Sequence, residues 1–433
     1  MRRHDFENFP NRTSPHTTSP FDYLIVALAT ALAPFSRNAL ELAGAIVSPL
    51  LSVGLGVFLC WWSRKMRLPF RWALLILYAV SPILAHGFAP LTAIALCAEW
   101  TLARQDSRFW GIIGGGCWAL ALWVSLYEPL ILLIIVCAFR AADVIKKERR
   151  IGWIVFFAIL ALAFALERRL PAWPSREFAG ALKNWSATVG ELTHVSLASG
   201  IWFRWCGWLL LLAPVLLWPK RKRNTPFVFM PLLIATFALT IWQARWSYFF
   251  VMIFAMVLPE ILSVLRNPVI ATTVFMVALF PVMQSWRRAF ADEELARRSE
   301  NRIEQLELRA IASQIDGPFI APWWFSPALS YWSRQPAVGG SSHESIKGIV
   351  ETAKFFATQK AEEAAQLSRE VTATWIIAYD ADRVAQNSAQ ILGRPVSNSA
   401  LCYLLDRRPS QAPPFLRLVR QTAHFKIFQT VNP

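Results

Sequence analysis

Long apolar stretches recur along the chain from Phe21 to Trp286, and charged and polar residues return only after them. A helix that crosses the hydrocarbon core of a bilayer needs roughly 20 predominantly apolar residues, or fewer where the bilayer thins. The pattern therefore predicts a mainly helical polytopic membrane protein. It predicts ten transmembrane helices, at Ala43–Trp62, Trp72–Ala85, Leu91–Ala103, Trp110–Leu126, Pro129–Phe139, Trp153–Leu166, Ile201–Trp218, Phe227–Trp242, Trp246–Leu262 and Val269–Met283.

The polar C-terminal part predicts a separate small α/β domain. Residues 289–315 are rich in Glu, Arg and Ala with few helix breakers, which is typical of an exposed helix. The following segments alternate between predicted strands and helices, and such alternation favours an α/β fold. The strands are predicted at Pro318–Ala321 and Thr372–Tyr379, and the helices at Ser342–Ala357, Lys360–Arg369 and Asp382–Ile391.

Basic residues cluster in short loops between the apolar segments, and they account for much of the net charge of +16. Because Lys and Arg are enriched in cytoplasmic loops, clusters such as Arg64–Arg67, Arg140–Arg150 and Lys220–Arg223 predict the inner side. This explanation excludes a nucleic-acid partner. Counting spans from these loops places the C-terminal domain outside, which predicts a bacterial inner-membrane protein with a periplasmic domain.

The same count places the N-terminus outside, although no signal peptide or apolar segment precedes it in the sequence. Phe21–Phe35 is apolar but short, so it is either a first span or a helix in the outer interface. We expect a further membrane helix upstream of Met1. The predicted domains are residues 1–37 as an outer-face loop with an interfacial helix, 38–286 as the transmembrane domain and 287–433 as the outer α/β domain.

Several ionisable residues fall on the outer side by this count, which did not use them: Asp5, Glu7, His86, Glu128, Glu191 and Arg245. Charged groups at membrane depth are costly and are candidates for function. Each also has a structural interpretation: Glu128 before Pro129 could cap a helix, and Arg245 could reach lipid headgroups. Asp5 and Glu7 are interpreted as solvated charges and His86 as a turn residue.

Carboxylates and an arginine on one face suit a particular chemistry. A divalent cation takes carboxylate oxygens, and an arginine offers a planar fork of donors to phosphate. Together they could hold a pyrophosphate-linked lipid donor and stabilise its leaving group. Glu99 and Glu260 fall toward the inner side and are interpreted as packing or interface residues.

Three segments resemble the catalytic subunit of oligosaccharyltransferases, a family of GT-C class membrane glycosyltransferases. Thr188-Val189-Gly190-Glu191, in a predicted outer loop, is similar to the family's TIxE motif. Gln243–Phe249 looks like the segment in which an arginine and aromatic residues open a late span. Ala321–Pro327, which contains Trp323-Trp324, resembles the WWDYG segment that opens the outer domain.

The resemblance implies roles for individual residues. Glu191 would act at the catalytic site and bind a divalent metal, Mg or Mn, or the acceptor. Arg245 would bind the donor phosphate, Glu128 would line the catalytic site, and Trp323 and Trp324 would bind the acceptor.

The chain also departs from the family's pattern. Phe325 stands where the WWDYG motif has Asp, which puts recognition of an Asn sequon in doubt. Residues 85–90 carry no carboxylate where the second acidic motif is expected. A metal site is therefore expected to be incomplete in this chain, with its remaining ligands upstream of Met1.

The leading hypothesis is a glycosyltransferase that transfers a sugar or oligosaccharide from a polyprenyl-linked phosphate or pyrophosphate donor at the outer membrane face. Its expected partners are this donor, the bilayer and a protein or glycan acceptor that the sequence does not identify. The alternative is a non-catalytic relative that binds a lipid-linked glycan or a partner enzyme, which the missing carboxylates favour. A transporter is disfavoured because the sequence shows no internal repeat.

Overall fold

The chain folds into two compact units in a computed structural model that describes residues 6–11, 19–84, 89–140, 146–167, 176–217 and 225–431. The apolar helical unit takes in the described residues from 19 to 167 and from 194 to 291. The α/β unit takes in residues 6–11, 176–193 and 292–431. Asp5, His86 and the basic cluster Lys220–Arg223 lie outside the described residues.

The apolar helical unit has helices where the hydrophobic pattern predicts them. Each predicted span overlaps an apolar helix, and the helix Ser19–Leu32 covers most of the apolar segment Phe21–Phe35. The Ile201–Cys206 helix continues as the 3₁₀ helix Gly207–Leu217. The other helices are Ala39–Lys65, Arg71–Val80, Pro90–Leu102, Arg108–Val124, Tyr127–Phe139, Lys147–Glu167, Phe229–Trp242, Ser247–Leu262, Pro268–Ala278 and Phe280–Ala289.

Helix length decides how many of these helices can cross a bilayer. Among the described residues, four helical stretches are long and apolar enough: Ala39–Lys65, Arg149–Glu167, Ala244–Leu265 and Pro268–Ala289. The shorter apolar helices have 10–17 residues, fewer than the roughly 20 that a span needs without local adaptation. The unit is therefore membrane-compatible, and the count of ten spans stays a prediction.

The helix Ser247–Leu262 forms the centre of the apolar helical unit, and all of its residues are buried. Its sequence has no polar face, and such a helix is stable when other elements surround it on every side. Aromatic contacts fill the space around it; the Phe250 ring, for example, lies 5.7 Å from that of Trp202. Residues at the ends of this helix are consequently held in fixed positions.

Glycines allow close contact between the helices Arg108–Val124 and Lys147–Glu167. A Cβ added at Gly115 would collide with the carbonyl oxygen of Gly152, and one added at Gly152 would collide with that of Gly111. Small residues let membrane helices approach until their backbones touch, and the resulting van der Waals packing drives their association.

The α/β unit is built on a four-stranded sheet with the order β1-β2-β4-β3. Strand β1 (Phe319–Ile320) runs parallel to β2 (Trp375–Ala378), whereas β4 (Lys426–Thr430) pairs antiparallel with β2 and with β3 (Leu416–Gln421). The α-helices of the unit are Ala179–Ser186, Asp292–Ala312, Ser326–Ser333, Ile346–Ala357, Ala361–Glu370, Ala381–Leu392 and Leu401–Arg407.

The predicted small α/β fold is confirmed. Strands β1 and β2 lie within their predicted segments, and the helix expected at residues 289–315 spans Asp292–Ala312. Strands β3 and β4 and the helices Ser326–Ser333 and Leu401–Arg407 were not predicted. In β3 every residue after Leu416 is exposed, so the strand lacks the apolar alternation by which a half-buried strand is recognised.

The glycine contact leads to a testable prediction for stability. We expect Gly152→Ala to lower the unfolding temperature of the detergent-purified protein by several degrees, because overpacking of a closely packed contact costs about 1–3 kcal/mol. Gly54→Ala is the matched control, since a Cβ at Gly54 meets no atom within 4 Å. An equal effect of both substitutions on the unfolding temperature would show that the two helix backbones do not touch.

Candidate functional site

Glu128 and Arg245, which lie far apart in the sequence, form an ion pair in the apolar helical unit. Glu128 Oε1 pairs with Arg245 Nη2, and Glu128 Oε2 accepts a hydrogen bond of 2.7 Å from Ser125 Oγ. The Glu128 side chain is 7% exposed, whereas that of Arg245 is 35% exposed. The carboxylate is thus enclosed, whereas part of the Arg245 side chain remains accessible.

Helix ends position both side chains. Glu128 lies in the first turn of the helix Tyr127–Phe139, where the helix dipole favours a carboxylate. Arg245 lies in the 3₁₀ turn Ala244–Trp246, directly before the buried helix Ser247–Leu262. A guanidinium has five N–H donors in a fork that matches phosphate oxygens, so an arginine held at one side by a carboxylate can still bind a phosphate.

Glu191 lies in the α/β unit, in the 3₁₀ turn Gly190–Leu192, and is exposed. The preceding residues are fixed by the helix Ala179–Ser186, because Thr188 Oγ1 donates a hydrogen bond of 2.7 Å to the Trp185 carbonyl. Trp185 is buried, and its ring lies 5.6 Å from that of Trp323. The two segments predicted to act on the acceptor, Thr188–Glu191 and Trp323-Trp324, therefore pack in the same unit.

The two adjacent tryptophans follow β1 and make different contacts. Trp323 Nε1 donates a hydrogen bond of 2.9 Å to Asn387 Oδ1. The Arg383 guanidinium lies over the Trp324 ring, 5.1 Å from its centroid. Asn387 and Arg383 belong to the helix Ala381–Leu392, so this helix holds both tryptophans.

The Phe325 side chain lies in the hydrophobic core of the α/β unit. It is 4% exposed, and its ring lies 4.8 Å from that of Tyr379 and 5.4 Å from that of Phe425. Burial and a hydrogen bond to the Glu304 carboxylate raise the pKa of Tyr379 to about 12. Tyr379 therefore stays neutral at physiological pH, and the surroundings of Phe325 offer no place for an unpaired carboxylate.

A small cavity of about 10 Å³ lies beside the tryptophans, between the helices Ile346–Ala357 and Ala381–Leu392. Trp323, Trp324, Thr352 and Asn387 contribute to its lining. Within the described part of the chain, the buried atoms Thr352 Oγ1 and Trp324 Nε1 have no hydrogen-bond partner. Buried polar atoms without a partner are rare in native proteins and call for an explanation, such as a ligand or an ordered water.

The predicted site residues thus fall into two groups. Glu128 and Arg245 pair within the apolar helical unit, and Glu191, Trp323 and Trp324 lie within the α/β unit. Over the described residues, no group of three or more His, Cys, Asp or Glu side chains could hold a metal ion. The described side chains around Glu191 therefore do not fit the expected divalent cation.

Glu99 is the centre of a second, more deeply buried ion cluster in the apolar helical unit. Its Oε2 pairs with Arg149 Nη2 and, at 3.2 Å, with Arg140 Nη1. Arg140 also donates to the carbonyl oxygens of Glu99 and Leu102, which end the helix Pro90–Leu102. These contacts join three helix ends and agree with the interpretation of Glu99 as a packing residue.

The sequence has no match among protein-family models or curated proteins, but solved structures share its fold. A crystal structure of the Archaeoglobus fulgidus oligosaccharyltransferase, tethered to an acceptor peptide with the NVT sequon, matches with a TM-score of 0.64 and 12% identity, over 90% of this chain and 64% of that chain. The same organism's oligosaccharyltransferase with Zn and sulfate gives 0.62 and 15%, over 91% and 63%. An A. fulgidus oligosaccharyltransferase with an inhibitory peptide and a dolichol-phosphate gives 0.59 and 11%, over 91% and 65%.

These matches confirm the GT-C-like fold of oligosaccharyltransferases that the sequence motifs predicted. The chain spans slightly less than two thirds of the length of the structures that it matches.

The unpartnered hydroxyl of Thr352 is predicted to lower the stability of the α/β unit. A buried polar group without a partner costs about 1–3 kcal/mol, and Val has nearly the same shape as Thr. We expect Thr352→Val to raise the free energy of unfolding of the α/β unit, measured by pulse proteolysis of the full-length protein in urea.

Thr358→Val is the matched control for this prediction. Thr358 is also buried, but its Oγ1 donates a hydrogen bond of 2.6 Å to Glu363 Oε2. This variant should therefore lower the free energy of unfolding. Equal losses in both variants would mean that the Thr352 hydroxyl has a partner and that the cavity is not open to a ligand.

Proposed function

We propose that this chain, which has the fold of an oligosaccharyltransferase, binds a polyprenyl-linked sugar donor in its apolar helical unit and an acceptor in its α/β unit, and transfers the glycan between them. The proposal includes an orientation with the α/β unit on the outer, periplasmic side of a bacterial inner membrane. The positive loops Arg64–Arg67 and Arg140–Arg150 support that orientation.

The observation that carries the proposal is the paired and partly exposed Arg245. Its position at the start of the fully buried helix Ser247–Leu262 fixes the backbone, and the Glu128 carboxylate fixes the guanidinium. A phosphate or pyrophosphate group would bind the guanidinium N–H groups that Glu128 does not engage. The interaction would be strongest as this group leaves the sugar, because its negative charge is then largest. One of the matched structures contains a dolichol-phosphate, which has the lipid and phosphate of such a donor without the sugar.

Glu128 then acts as a positioning residue. Both of its oxygens are engaged, one with Arg245 and one with Ser125. The carboxylate would therefore orient Arg245 rather than contact the sugar. This role is more specific than the catalytic role expected from the sequence.

The acceptor would bind at Trp323-Trp324, with Glu191 offering an exposed carboxylate to it. The cavity has room for a group about the size of one water molecule, such as a hydroxyl or methyl group. The Trp324 indole N–H and the Thr352 hydroxyl would hydrogen-bond to a small polar group there. In one matched structure the acceptor is a peptide with an NVT sequon, and this peptide is a suitable first probe.

A second candidate function is a non-catalytic relative that binds the lipid-linked glycan or a partner enzyme. Two observations favour it: the buried Phe325 replaces a carboxylate, and the described residues contain no metal-holding cluster. The two functions differ in turnover. Binding of the donor without any transfer, to a panel of peptide and glycan acceptors with Mg²⁺ or Mn²⁺ present, would establish the second candidate.

The donor assignment predicts the effect of Arg245→Ala. We expect the affinity of the detergent-purified protein for a polyprenyl-pyrophosphate sugar to fall at least tenfold, because charge-assisted bonds to phosphate contribute about 1.5–3 kcal/mol each. Arg245→Lys should recover part of the affinity, since it restores the charge but not the fork. Isothermal calorimetry or a labelled donor measures the change.

Arg266→Ala is the matched control, because Arg266 is exposed and lies just beyond the other end of the helix Ser247–Leu262. Its donor affinity should equal that of the unmodified protein. Equal affinities of Arg245→Ala and Arg266→Ala would show that Arg245 does not bind the donor.

A further inference from the structure

Residues 6–11 form an N-terminal strap on the α/β unit. The Ala337 N–H donates a hydrogen bond of 2.8 Å to the Phe6 carbonyl, and the Phe9 N–H donates one of 3.0 Å to the Ala337 carbonyl. Ala337 also forms a parallel bridge with Phe319 of β1. The strap is therefore attached to the edge of the sheet through Ala337.

Two strap side chains reach the start of the helix Ile346–Ala357, which we call the pocket helix. Asn8 Oδ1 accepts a hydrogen bond of 2.9 Å from the Gly348 N–H. Glu7 Oε2 accepts one of 3.2 Å from Ser345 Oγ. Asn8 is 5% exposed and Glu7 is half-buried, so the interpretation of Glu7 as a solvated charge is wrong.

The strap supplies what the pocket helix lacks locally. The first backbone N–H groups of a helix have no partner within the helix, and the residue at the N-cap, Ser345, makes no side-chain cap hydrogen bond. Asn8 provides the missing acceptor, and the Glu7 carboxylate adds a negative charge where the helix dipole favours one. A cap usually comes from the residue next to the helix, whereas this one comes from a remote part of the chain.

Glycines make room for this arrangement. A Cβ at Gly340 would collide with Glu7 Oε2, and a Cβ at Gly348 would collide with the Val338 carbonyl and approach Asn8 Oδ1 to 3.1 Å. Asn8 itself has a φ of 57°, a left-handed conformation that Asn adopts more readily than most residues. The residue types on both sides of the contact are therefore compatible with these hydrogen bonds: glycines on one side and a left-handed Asn on the other.

The capped turn lies next to the cavity. Thr352 follows Gly348 by one helical turn, and Ile349, Thr352, Ala353 and Phe356 of the pocket helix line the cavity. We propose that Glu7 and Asn8 are positioning residues, which hold the pocket helix so that Thr352 faces the ligand of the cavity. The identity of that ligand as the acceptor rests on the proposed function, but the positioning itself does not.

Three variants of the full-length protein test the proposal. Asn8→Gly removes the cap oxygen without straining the left-handed backbone, Asn8→Asp keeps an acceptor oxygen, and Asn11→Ala removes the exposed contact of Asn11 with Lys347 of the same helix. We expect Asn8→Gly to speed amide hydrogen exchange at residues 346–350 about fivefold, which is the typical effect of losing a cap. Asn8→Asp and Asn11→Ala should exchange like the unmodified protein.

Binding of an NVT-sequon peptide then separates positioning from the proposed function. Asn8→Gly should weaken peptide binding severalfold with unchanged affinity for the donor, and Asn8→Asp should restore peptide binding. Unchanged hydrogen exchange in Asn8→Gly, or faster exchange with full peptide affinity, would overturn the proposal. If the unmodified protein binds no acceptor but the exchange pattern is as expected, the positioning of the pocket helix stands and the acceptor assignment fails.

Discussion

An unpaired charge within an apolar helical bundle is costly, and the pairing of Glu128 with Arg245 meets this constraint at the start of the central helix. The short helix Tyr127–Phe139 has such a contact at each end, since Glu128 lies in its first turn and Arg140 follows its last residue. Glu99 and Arg149 complete the second contact. Ion pairs between buried groups add little net stability, but breaking one is strongly destabilising. They therefore specify how these helices meet more than how strongly they associate.

The hydrophobic pattern predicted the helices of the apolar unit because their signal is local. Every predicted span overlaps a helix, although the helix Arg71–Val80 is shorter than the predicted span Trp72–Ala85. The pairing of Glu128 with Arg245 could not be predicted, because it depends on which helix ends meet. Counting the predicted spans placed both residues on the same side of the membrane. A hydrophobic pattern gives no further information about a contact between turns that are distant in the sequence.

Sequence alone also could not give the environment of Phe325. Its alignment with the family's aspartate suggested the loss of one carboxylate from the acceptor site, yet the side chain packs against Tyr379 and Phe425 in the core. The polar groups beside the tryptophans are instead Thr352, on the pocket helix, and Asn387, on the helix Ala381–Leu392. No motif marked either residue. The signal at Thr352 is its buried hydroxyl without a partner, and that at Asn387 is its hydrogen bond from Trp323. Both are visible only in three dimensions.

The α/β unit includes two segments that the composition of the chain had placed in other predicted domains. Residues 176–193 contribute Trp185, which packs with Ile349 and Ile391, and residues 6–11 contribute the cap of the pocket helix. Residues 176–193 pack against both helices that enclose the cavity, and residues 6–11 accept hydrogen bonds at the start of the pocket helix. Neither contact could form in a domain that begins at residue 287. The cavity is therefore shaped by three separate stretches of chain, and a change in either remote stretch can alter binding there without touching a residue that lines it.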